Sequence, residues 1–79
     1  MQITSHNFVP RFNWLELNVN DATVVITYTT DSGSINSFEI FDIFFPGRSE
    51  EKQNVINFIH DNVSVDYLNE LEPWQKKSK

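Results

Sequence analysis

The stretch Ala22-Thr23-Val24-Val25-Ile26-Thr27-Tyr28-Thr29-Thr30 decides the fold. Nearly every residue in it is β-branched or aromatic, the side chains that pack best on a pleated surface. As a strand it sets Val24, Ile26 and Tyr28 on one face and Thr23, Val25, Thr27 and Thr29 on the other.

Outward from it, each flank is a turn followed by another strand. On the N-terminal side Asn20-Asp21 is turn chemistry, and residues 12–19 alternate Leu15, Leu17 and Val19 against Glu16 and Asn18. On the C-terminal side Asp31-Ser32-Gly33-Ser34 supplies the Gly that a tight reversal needs, so residues 35–45, INSFEIFDIFF, pair back antiparallel. The product is a three-stranded meander over residues 11–45, with residues 1–10 as an N-terminal arm.

The third run carries apolar groups on both faces: Phe38, Ile40 and Phe44 on one, Phe41, Ile43 and Phe45 on the other. Such a strand is central, or is covered on its second face by a helix or a partner chain. Strict alternation puts Glu39 and Asp42 on opposite faces, near the rims. Pro46-Gly47 ends the run, because Pro has no N–H for the ladder.

Residues 49–72 read as helical. Ser49 suits an N-cap, and Glu50 and Glu51 fall in the first turn, where the helix dipole favours negative charge. Val55, Ile56, Ile59 and Val63, with Phe58 beside them, recur at helical spacing and cover the sheet. Asp61-Asn62 marks a break, after which a second helix starts at Ser64 and runs through Val65, Leu68 and Leu71 until Pro73 stops it. Residues 74–79 form a basic tail that Trp74 can pin. The expected fold is α+β, in the order β-β-β-α-α, with the helices on one sheet face.

Composition narrows the function classes. The chain has 79 residues, 39% of them hydrophobic, and no cysteine. It can build one core, held by bulky side chains rather than by disulfides or thiolate metal sites. Its eleven aromatics outnumber what so small a core hides, which leaves some for an interface and makes a homodimer a real alternative. The N-terminus lacks a basic region followed by an apolar stretch, and no apolar run approaches the ~20 residues of a membrane span, so the expected setting is cytoplasmic.

Net charge is −5, but its distribution says more. All eleven acids lie within residues 12–75 against two bases there, Arg48 and Lys52, a balance of −9; Lys76, Lys77 and Lys79 give the tail +3. A body this negative repels nucleic-acid phosphates and favours basic partners.

Catalytic chemistry has few candidates. His6 and His60 are the only histidines, and no third group stands at a triad spacing from either. His60-Asp61 with Asp66 does not make a metal motif, because adjacent helical residues point ~100° apart. Two glycines leave no phosphate-cradling loop, so no cofactor is expected. Asp31-Ser32-Gly33-Ser34 reads as a hairpin turn rather than a phosphorylation site, and Asn62-Val63-Ser64 has no secretory context.

What remains is acidic and aromatic surface. The expected function is a non-enzymatic, acidic protein-binding module that inhibits or modulates a larger partner by occluding a basic, nucleic-acid-binding surface. In character it is analogous to virus-encoded anti-defence or host-takeover factors, including nucleic-acid mimics. The residues expected to carry binding are Glu39, Asp42, Glu50, Glu51, Asp61, Asp66, Glu70 and Glu72, with Phe45 and Trp74. The alternative is a homo-oligomeric or accessory subunit whose two-faced third strand is covered by a copy or by a complex partner.

Overall fold

Four antiparallel strands are followed by two helices in the computed structural model, which describes residues 1–47 and 49–71, the Ser49 side chain excepted. The strands are β1 (Ile3–Val9), β2 (Trp14–Val19), β3 (Ala22–Asp31) and β4 (Ser34–Phe44), and they lie in the sheet in sequence order. The helices are α1 (Ser49–Asn62) and α2 (Val65–Glu70). The α+β class and the helices after the sheet follow the sequence reading. The strand count does not: residues 1–10 are no arm, because Ile3–Val9 pairs with β2 along its whole length.

Turn chemistry sets each reversal. Asn13, after a single 3-10 turn over Pro10–Phe12, takes a left-handed conformation and donates its N–H back to the Pro10 carbonyl. Asn20 is also left-handed at the β2–β3 reversal, with φ 55°, a region that Asn tolerates better than most residues, and its N–H donates to the Gln2 carbonyl. At the β3–β4 hairpin Ser32 and Gly33 have φ of 54° and 83°, the paired positive values of a turn whose twist matches the strands it joins. Gly47, between β4 and α1, is required for space: a Cβ there would come 2.5 Å from the Phe45 ring and from Glu51 Oε1.

The inner face of the sheet is a run of cross-strand rows. Phe8, Leu15, Ile26 and Ile40 form one row, and His6, Leu17, Val24 and Ile43 the next. Tyr28 pairs with Phe38 further along. The helices close over this face with Val55, Ile59 and Leu68, joined by Val63 from the link between them, all in the same core cluster. Burying a side chain of this size stabilises by roughly 1.5–3 kcal/mol, which is why the helices settle on this face. Burial also pushes the Tyr28 and Tyr67 phenols above their ordinary range by desolvation.

The faces of β4 differ from those that strict alternation assigns. Two register shifts, between Val25 and Ile26 and between Thr29 and Thr30 of β3, insert an extra residue in β4 near Phe41 and near Asn36. Each bulge advances the side-chain parity by one. Ile35, Phe38, Ile40 and Ile43 therefore all pair with inward residues, whereas Phe44 pairs with Thr23 on the outer face. Glu39 pairs with Thr27 and Asp42 with Val25, so these two carboxylates share the outer face rather than falling on opposite ones. Phe45 follows the strand and packs half-buried against the core.

α1 runs through Asn62 rather than breaking at Asp61-Asn62. Ser64 then caps α2, its hydroxyl accepting from the Tyr67 N–H at 3.1 Å. α2 is tied to the sheet by Asn69. Its Oδ1 accepts from the Ile35 N–H at 2.9 Å, and its Nδ2 donates to the Ile35 carbonyl at 3.0 Å and to the Val65 carbonyl at 3.1 Å. One amide thus answers both backbone groups of an edge-strand residue 34 positions earlier.

Candidate interaction surface

Because both helices pack on the inner face, the outer face of the sheet is left to solvent. Its register gives three rows across β1, β2, β3 and β4: Val9-Trp14-Thr27-Glu39, then Asn7-Glu16-Val25-Asp42, then Ser5-Asn18-Thr23-Phe44. The first two rows carry three carboxylates and an aromatic ring. The bulge places Phe41 among them.

Trp14 and Phe41 stack with ring centroids 6.2 Å apart and planes 25° from parallel. They come from β2 and β4 and so bridge over β3, which lies between those strands. Val25, on this outer face and outside the core cluster, is 6% exposed beneath the bridge. Phe12 continues the aromatic series at 5.2 Å from Trp14, and the Arg11 guanidinium sits 5.1 Å from the Phe12 ring centroid. Phe12, Phe41 and Phe44 are 54%, 65% and 59% exposed. Three large apolar rings this open on one side of a small domain form a patch, and patches of this kind mark interaction sites.

Polar groups surround the rings. Glu16 is half-buried, while Glu39 and Asp42 are exposed. Asp42 accepts the neighbouring Ile43 N–H at 2.8 Å. Beside the first row, a depression of about 350 Å3 is lined by Thr27, Tyr28, Thr29, Ser37, Phe38 and Glu39. The Thr29 hydroxyl reaches both Asn36 Oδ1 and Ser37 Oγ there. Further along the face, Asn18 accepts from Thr23 and donates to Ser5, which locks the third row in place.

The acids named from sequence divide into two groups. Glu39 and Asp42 lie on the outer face among the aromatics. Glu50, Glu51, Asp61, Asp66 and Glu70 are exposed on the helices, which cover the opposite face. Glu51 lies against Gly47 at the β4–α1 turn. Phe45 packs on the core, and Glu72, Trp74, the Pro73 stop and the basic tail lie outside the described residues.

Phe12, Trp14, Phe41 and Phe44 are the members that sequence reasoning did not single out. Their signal was the apolar content on both sides of residues 35–45, together with more aromatics than one core can hold.

His6 lies on the inner side of β1 with its ring edge-on to Phe8 at 6.0 Å, and His60 is exposed on α1. Among the described residues, no three His, Asp or Glu side chains group as metal ligands, and no helix is long and apolar enough to cross a membrane. Compared with known protein families, with curated proteins and with solved structures, the chain matches none of them.

Proposed function

We propose that this chain is an acidic protein-binding module, not an enzyme, which docks on a larger protein through the outer face of its sheet and so occludes or redirects a basic surface. The observation that carries this reading is the uncovered face itself, where Trp14, Phe41, Phe12 and Phe44 stand among Glu16, Glu39 and Asp42. Interfaces favour this composition: aromatic anchors supply most of the binding energy, and charges at the margin steer and select the partner. A surface made to hold nucleic acid is a natural target, because it offers cations that such carboxylates attract.

A second copy of the chain is the competing occupant. An isologous two-fold contact would bring this face against itself, setting its three carboxylates opposite the same three. Like charges across an interface disfavour association, which supports a different partner.

Affinity capture with the wild type and with a Phe12→Ser/Phe41→Ser/Phe44→Ser variant tests the reading. The wild type should retain a basic protein, less of it as salt is raised, and the variant should lose it while keeping its circular dichroism spectrum. Equal capture by both would sink the proposal, and an obligate wild-type dimer in light scattering would favour the second copy.

A further inference from the structure

Resting on that docking reading, we infer that the Trp14–Phe41 face is a receptor for arginine side chains carried on a basic, extended segment of the partner. Charge complementarity decides the sign of the occupant. Among the described residues the Glu16 and Glu39 carboxylates make no ion pair or hydrogen bond, and Arg11 is the one cation at the margin of the face. An anion would meet three carboxylates. The rings could stack a nucleobase, but its phosphates would be repelled, which argues against nucleic acid on this surface.

The aromatics decide which cation. A ring face carries negative quadrupole density and attracts a guanidinium within ~6 Å of its centroid. Arg11 already takes that position over Phe12 at 5.1 Å, so the geometry is one this surface adopts with its own side chain. Arginine is flat, weakly hydrated and has five N–H donors in a fixed fork, whereas lysine is a compact ammonium that stacks poorly. Next to Trp14, the depression of about 350 Å3 offers Glu39 and the hydroxyls of Thr29 and Ser37 as acceptors. A guanidinium lying on the rings can turn its N–H edge toward them. An extended backbone suits a site that is a flat sheet face rather than a closed pocket.

Titrating hexa-arginine peptide into the 15N-labelled full chain, with the Trp14 indole N–H as the probe, tests this directly. Saturable shifts at Trp14, Glu39 and Asp42 are expected, with hexa-lysine binding about threefold or more weakly. Glu39→Gln and Phe41→Leu, which keep charge-free polarity and apolar bulk respectively, should each weaken hexa-arginine about two- to fivefold. Shifts confined to Asp61, Asp66 and Glu70 on the helices, equal affinity for the two peptides, or indifference to Phe41→Leu would overturn the arginine site. If the triple serine variant loses the partner yet hexa-arginine leaves Trp14 unmoved, the docking reading stands and the arginine occupant falls. If hexa-arginine seats at Trp14 while the triple variant still captures the partner, the arginine site stands and the docking reading falls.

Discussion

The inner and outer faces of the sheet share one backbone and one set of hydrogen bonds, yet the side chains they carry do different work. On the inner face Leu15, Leu17, Val24 and Ile26 are fully buried under Val55, Ile59, Val63 and Leu68. On the outer face these strands offer threonines, a carboxylate and the half-buried Trp14, and β4 adds Phe41 and Phe44, each more than half exposed. Aliphatic side chains that interdigitate fix a fold. Rings held open to water on a rigid platform stabilise it little, and in the proposed reading their area serves contact with a partner. The difference teaches where mutations should damage folding and where they should damage only binding.

The sharpest test of that division is in the core. Ile26→Ala removes a side chain with no exposure from the middle of the inner face, and chemical denaturation should show a loss of about 2–5 kcal/mol. A loss as small as that of an outer-face variant would break the comparison.

Asn69→Ala addresses the tie between α2 and β4. It leaves the Ile35 N–H and carbonyl without the amide that answers them, and stability should fall by about 1–3 kcal/mol. Hydrogen exchange at the Ile35 amide should quicken more than at Val24. Unchanged Ile35 protection would mean that the tie holds nothing in place.

The smallest effect belongs to the outer face. Phe44→Ser should change stability by less than about 1 kcal/mol, because the ring is already 59% exposed and its cross-strand neighbour is Thr23. A larger loss would make the outer rings part of the folding core and erase the contrast.

Much of this layout was legible in the residues, and the failures have physical causes. β3 could be read because its β-branched run leaves no competing structure, and the β3–β4 hairpin because Ser32-Gly33 fits only a tight reversal. β1 could not. Its centre, Thr4-Ser5-His6-Asn7, is polar, and what makes it a strand is pairing with β2, a non-local fact that no short window contains. The faces of β4 failed differently: alternation was sound on either side of Asn36 and Phe41, but each bulge shifts the count by one. That hid the convergence of Glu39, Asp42 and Phe41 on one face. The surplus of aromatics hinted at an exposed set, but only the register identifies Trp14 and Phe41 as partners across β3.

The Asn69 amide also bears on how the molecule avoids its own kind. A sheet that ends in an edge strand rich in phenylalanine is a template for chain-on-chain growth, since its free N–H and carbonyl groups await another strand. Asn69 occupies those groups at Ile35 as a fifth strand would, and the bulges at Asn36 and Phe41 bend the rest of the edge out of line. Together they shorten the stretch of edge, beside the exposed rings, on which another strand could pair.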